Sequence, residues 1–305
     1  MRGRVVAAVA GIAVAATCLA GCSASGTSVP DGVIPAVGAE SQYADVISQI
    51  GGRYVDVQAI VNNPSTDPHT FEASTSVAKT IAQAQLIVQN GLGYDDFMPK
   101  LEASAPNPGR TVIVAQSVLG LPDDTPNPHL WYKPTTMPAV AKAVANALST
   151  LQPAHASYFQ ANLTTFEASM DAWQKKLDAA SAQVSGRSVA VTEPVADYLL
   201  QALGLTVKTP WSLEQAIMNG TDPSPQDAAT QTALLSGKQV AALCFNAQVS
   251  DPTTARFVQQ AQAAGVPVVA VYETMPTGHT YQTWMDAELD AIVAAVTANT
   301  STEHL

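Results

Sequence analysis

The sequence predicts an α/β protein of two lobes with mainly parallel sheets, joined by a long rigid helix. From Glu40 to Ala115 short β-branched runs alternate with helical stretches, the order that βαβ units produce. The alternation stops at Met137–Val184, which is almost wholly helical and rich in Ala, Leu, Gln and Lys, and it resumes after Ser185-Gly186. With 305 residues, 47% of them apolar and 13% charged, the chain has length for one or two domains with large cores.

The N-terminus reads as an export signal rather than part of that globule. Met1–Arg4 carries two arginines, Val5–Ala16 is an apolar run too short to span a bilayer permanently, and Leu19-Ala20-Gly21-Cys22 follows. The last four residues resemble a bacterial lipobox. Residues 1–21 are then a lipoprotein signal peptide, Cys22 the lipidation site, and residues 22–35, rich in Ser, Gly and Thr, a flexible tether to the extracytoplasmic face of the membrane. Of three cysteines, Cys18 leaves with the signal and Cys22 is consumed by lipid, so Cys244 remains alone and no internal disulfide is expected. It sits in the apolar run Val240–Phe245 and reads as a small buried hydrophobe. The net charge is −11, and losing Arg2 and Arg4 leaves 12 basic against 25 acidic residues, or −13. Such acidity argues against nucleic acid as a partner and is compatible with cations.

Taken in order, Glu40–Ile50 has apolar residues at helical spacing and Gly51-Gly52 to stop it. Tyr54–Val61 alternates as a strand does and runs into the Asn62-Asn63-Pro64 turn. Val77–Gln85 reads as a helix, Leu86–Gly91 as a short buried strand and turn, and Thr111–Ala115 as another short strand. Pro153 interrupts the long helical region, so a second helix starts near Ala154 and runs about thirty residues, or roughly 45 Å. Residues 153–185 then link an N-terminal lobe, 36–152, to a C-terminal one, 186–305. In the latter, strands are expected at Ser188–Glu193, Val240–Phe245 and Val266–Glu273. Helices are expected at Ala196–Leu203, from Ser224-Pro225 to Leu235, at Pro252–Ala264 and at Trp284–Ala298.

Two segments place an imidazole directly after proline: Asp67-Pro68-His69-Thr70-Phe71-Glu72 and Asn127-Pro128-His129-Leu130-Trp131. Proline fixes its own φ and restricts the residue before it, so each His is presented from a stiff turn. Ligands of open α/β sheets bind beyond the carboxyl ends of the strands. His69, His129, Glu193 and Glu273 all fall at such ends, two from each lobe, and two imidazoles with two carboxylates suit zinc, manganese or iron(II). Asp67 or Glu72 could accept a hydrogen bond from a ligating imidazole and fix its tautomer.

Several stretches resemble the metal-binding solute receptors of zinc and manganese ABC transporters. They are Tyr43–Val46 with Gly51-Gly52, the two His motifs, Asn90-Gly91-Leu92-Gly93, Glu193–Leu199, Pro223-Ser224-Pro225 and Tyr272-Glu273-Thr274. The resemblance implies two lobes on one long helix with little hinge bending. It implies metal ligands at His69, His129, Glu193 and Glu273, with Zn²⁺ or Mn²⁺ as the transported ion. The partners it implies are a cognate ABC permease with its ATPase, the receptor itself acting as a monomer without enzymatic activity. The chain departs from the family pattern in three places. The last ligand is more often Asp, the Pro and Asp usual after the first motif are Ala73 and Ser74, and no His-rich loop lies between His69 and His129. Glu193 in place of a third His leans towards manganese, whereas intrinsic affinity leans towards zinc.

Three other readings use the same residues. A metal-dependent hydrolase would need an open metal position and a general base, and no His-Glu-x-x-His helix, Gly-x-Ser-x-Gly elbow or phosphate loop is present. A siderophore or cobalamin receptor would need an aromatic or basic cleft, and aromatics are only 6% of the residues. An adhesin role could coexist with transport. Of the five histidines, His155 and His304 read as surface residues and His279 as a bystander near the cleft rim.

Overall fold

The computed structural model describes residues 32–63, 71, 73–249 and 251–305. His69, Asp67, Glu72 and Cys22 lie outside them. The first lobe is built from β1 (Ile34–Glu40), α1 (Ser41–Gly51), β2 (Val55–Val61), α2 (Thr75–Gln83), β3 (Leu86–Gln89), α3 (Phe97–Ser104), β4 (Thr111–Val114), α4 (Ala115–Val118) and α5 (Thr136–Leu151). The long helix α6 (Ala156–Val184) follows. The second lobe comprises β5 (Ser188–Val191), α7 (Asp197–Ala202), β6 (Thr206–Val207), α8 (Trp211–Met218), α9 (Pro225–Ser236), β7 (Leu243–Asn246), α10 (Pro252–Ala264), β8 (Val268–Val271) and α11 (Tyr281–Ala298).

Each lobe holds a four-stranded parallel sheet, in the order β2-β1-β3-β4 and β6-β5-β7-β8. The two lobes therefore share one topology. In both, the chain leaves the first strand for one neighbour and returns to the other side, which opens a crevice beyond the carboxyl ends of β1 and β3, and of β5 and β7. Glu40, Asn90, Thr192 and Asn246 stand at these ends.

Pro153 does break the helical region, forming a single tight turn over Pro153–His155 before α6 begins. The 29 residues of α6 span about 43 Å. Its buried residues, Phe159, Leu163, Phe166, Met170, Trp173, Leu177, Ala180 and Val184, are spaced alternately by four and three, a narrow stripe that faces one direction along its whole length. That stripe joins residues of β1, α1, α5, β5 and α11 in one continuous apolar cluster, so the lobes share a core.

Cross-lobe hydrogen bonds add to this seam. Tyr281 N donates to Asp45 Oδ2 at 2.9 Å and Tyr281 Oη to Trp131 O at 2.7 Å, while the Gln49 and Gln282 amides pair at 2.9 Å. α11 starts at Tyr281, earlier than its apolar spacing suggests, because Thr280 and Thr283 form a capping box. Cys244 is buried as expected, and burial raises its thiol pKa. His155 is partly exposed, and its ring stacks on Tyr54 with centroids 3.9 Å apart.

β1 and α1 meet closely because Gly38 has no side chain; a Cβ there would lie 2.2 Å from Ala44 N. Gly38→Ala should therefore force α1 off the strand and cost about 1–3 kcal/mol, read as a lower urea midpoint of the metal-free protein.

Candidate metal centre

His129 and Glu273 are both fully buried, and they come from opposite lobes. His129 Nε2 lies 3.5 Å from Glu273 Oε2. The segment that carries the imidazole is fixed from three sides. Asn90, just after β3, donates from Nδ2 to Pro128 O at 2.8 Å, and its Oδ1 accepts from Tyr43 Oη at 2.6 Å. Asn127 Oδ1 accepts from His129 N at 3.0 Å and sits 2.8 Å from His129 Nδ1. An amide oxygen can only accept, so Nδ1 carries a proton and Nε2 is the nitrogen that faces Glu273. Asn127 Nδ2 donates to Pro194 O at 2.8 Å, which ties this loop to the residue after Glu193.

Glu273 sits two residues past β8, and both of its oxygens are engaged. Oε1 accepts from Asn246 Nδ2 at 2.7 Å and Oε2 from Tyr94 Oη at 2.8 Å. Its backbone is held as firmly: Glu273 N and Thr274 N both donate to Gln248 Oε1, at 2.5 and 2.7 Å, and Gln42 Nε2 donates to Glu273 O at 3.2 Å. Oε2 is the oxygen turned to the imidazole, an arrangement suited to one-oxygen ligation.

Glu193, two residues past β5, is 2% exposed. The residue before it, Thr192, accepts through Oγ1 from Asn246 N at 3.1 Å, so its loop and Glu273 share Asn246 as a support. Of the four ligands expected from sequence, the structure brings His129 and Glu273 together. Among the described residues no group of three or more His, Cys, Asp or Glu side chains converges.

The surroundings are acidic and buried. Glu40, 1% exposed at the end of β1, has its carboxyl pKa raised by burial and then by Asp95, and Asp95 is itself pushed up to about 6, chiefly by burial. Trp131 packs edge-on against both Tyr94 and His129, centroids 5.0 and 5.3 Å away, and closes the cleft wall with an aromatic face. His279 is half-buried, beyond Thr274 on the loop leading to α11.

Asn90, Tyr94, Asn127, Asn246 and Gln248 hold the site, and the sequence reading assigned none of them a role there. Asn90 and Asn127 were visible only as parts of motifs.

Two parallel-sheet lobes on one helical strut, meeting over a buried imidazole and carboxylate, define a two-lobed metal receptor. The chain belongs to the family of the periplasmic zinc-uptake complex component A, whose model matches residues 37–295. It is 26% identical to the manganese-binding lipoprotein MntA of Bacillus subtilis over 234 residues, 74% of either chain. A putative metal-binding protein of Thermotoga maritima is 35% identical over 92 residues, where the match spans 30% of this chain and 32% of that one. The fold is that of the periplasmic zinc-binding protein TroA of Treponema pallidum, with a TM-score of 0.73 at 20% identity over 87% of this chain and 99% of that one.

Tyr94 aims Glu273 without adding a charge. Tyr94→Phe should weaken divalent-metal binding by about ten- to a hundredfold, measured by competition against a fluorescent chelator.

Proposed function

We propose that this protein captures a free divalent cation, Zn²⁺ or Mn²⁺, between its lobes outside the membrane and delivers it to a cognate ABC permease driven by its ATPase. The observation that carries the reading is the pair His129 Nε2 and Glu273 Oε2, 3.5 Å apart, both buried, and contributed by opposite lobes. A cation placed there gains a neutral nitrogen donor of fixed tautomer and a carboxylate that is otherwise costly to bury. We assign His69 and Glu193 as the remaining ligands, with Asp67 or Glu72 as acceptor for the His69 ring. The names of relatives support both ions: MntA of B. subtilis binds manganese and TroA of T. pallidum binds zinc.

In this reading the protein is a monomeric carrier held to the membrane by lipid on Cys22. No helix among the described residues is long and apolar enough to cross a membrane. A carrier fits the site better than a hydrolase does. Glu273 is committed to Tyr94 and Asn246, and a set of four protein ligands leaves little room for an activated water.

His129→Ala should lose tight binding of both ions by at least about a hundredfold in calorimetric titration, and His69→Ala likewise. Because protons compete for the imidazoles, wild-type affinity should fall as pH drops below about 6. An affinity flat down to about pH 5 would sink imidazole ligation. Elemental analysis of protein taken from its own cell envelope identifies the cargo.

A further inference from the structure

The lobes also meet around Glu288, a fully buried acid on α11 that metal capture does not use. Glu288 Oε1 lies 2.9 Å from Tyr132 Oη and 3.0 Å from Trp284 Nε1. Tyr132 belongs to the first lobe, three residues after His129. Its Oη is also 3.0 Å from Tyr272 O and 3.2 Å from Tyr272 N, the residue before Glu273. One hydroxyl thus stands between the segments that carry the two site residues.

Counting protons decides the state of Glu288. The Tyr272 amide can only donate, and it donates into Oη. The tyrosine has one proton but two acceptors before it, Tyr272 O and Glu288 Oε1. If Glu288 were ionised, one of those oxygens would face Oη with no proton between them, in a site closed to solvent. With a proton on Glu288 Oε1, that proton goes to Tyr132 Oη and the tyrosine's own proton goes to Tyr272 O. Every contact then pairs a donor with an acceptor.

The charges around it agree. The groups acting on Glu288 from neighbouring elements are Tyr132, Tyr272 after β8 and Cys244 of β7, with Trp284 on its own helix, and none of them is positive. Lys176 of α6 is turned to Asp286 and Asp290, on the exposed flank of α11. From α1, Tyr43 is committed to Asn90. Burial pushes the Glu288 carboxyl up to about 8.

We infer that Glu288 is a positioning residue, held as a neutral carboxylic acid at neutral pH, which fixes Tyr132 against Tyr272 and thereby sets the spacing of His129 and Glu273. Its effect on metal rests on the function proposed above; its proton does not. The pH dependence has a definite sign. A carboxyl whose folded pKa is raised contributes stability that is complete below its unfolded value, roughly 4.3, and is lost as pH climbs through about 8. Glu288→Gln removes that slope and keeps a neutral donor to Tyr132 Oη, while its NH2 cannot accept from Trp284 Nε1.

Three measurements on the full mature protein test this. Difference infrared spectra of wild type against E288Q at pH 7 should show the carbonyl stretch of a protonated acid that the variant lacks. The melting temperature of E288Q relative to wild type should rise from pH 5 to about pH 8 and level off above it. Binding of Zn²⁺ and of Mn²⁺ at pH 7 should weaken about tenfold in E288A and stay within about twofold of wild type in E288Q. If E288A does not fold, the infrared band and the E288Q melting profile carry the test. Absence of the acid band overturns the inference, as does E288Q binding as weakly as E288A, or unchanged affinity in both. A wild type that binds neither ion ends the metal reading and the positioning role together, whereas the proton on Glu288 stands or falls with the infrared band alone.

Discussion

Glu273 is a carboxylate sealed between two lobes, and the rest of the centre exists to make that burial tolerable. Moving an ionised carboxylate out of water costs several kcal/mol unless partners replace its hydration. Here the partners are neutral donors: Tyr94 from the first lobe and Asn246 from the second. Asn246 is in turn held by Gln248, whose N donates to Asn246 Oδ1 at 2.9 Å while its side chain receives the amides of Glu273 and Thr274. None of these groups neutralises the charge. These donors fix both Glu273 oxygens without adding a charge of their own.

The fold places this charge where it does because both sheets follow the same strand order. Each crevice opens at the carboxyl ends of the first and third strands of its lobe, and the shared core along α6 sets the two openings against each other. Side chains just beyond β5 and β8 then face those beyond β3 and β4. Asn90 and Asn127 convert that placement into geometry: one clamps Pro128, the other orients the His129 ring and reaches across to Pro194.

Much of this was legible in the sequence, for reasons that also explain what was not. α6 and its break at Pro153 follow from a long helical composition and one imino acid. The Pro-His motifs and the strand-end glutamates are local patterns, and they led to the pair His129 and Glu273. The supporting residues are defined by partners far along the chain: Tyr94 meets Glu273 across 179 residues and Tyr132 meets Glu288 across 156. No local window contains such a pair. β1 was missed because Ile34-Pro35-Ala36 continues the small-residue tether without a break in composition, and α8 because Pro210 opens it after a strand of only two residues. The stacking of His155 on Tyr54 likewise depends on the chain folding back.

The density of the seam bears on how cargo can leave. Swinging the lobes apart would break the bonds made by Gln42, Tyr132, Tyr281 and the Gln49–Gln282 pair, each contributing about 0.5–1.5 kcal/mol, and would also expose apolar surface along α6 and α11. A binding event repays such a cost only through affinity, and a carrier must also release. A receptor that keeps its lobes together avoids that conflict. The 3.5 Å spacing of His129 Nε2 and Glu273 Oε2 is then set by the segments that carry them. The groups that set this spacing, Tyr94, Asn127 and Tyr132, lie on the segments that follow β3 and β4, beside the cleft, so the distance is fixed by side chains on those segments rather than by the angle between the lobes.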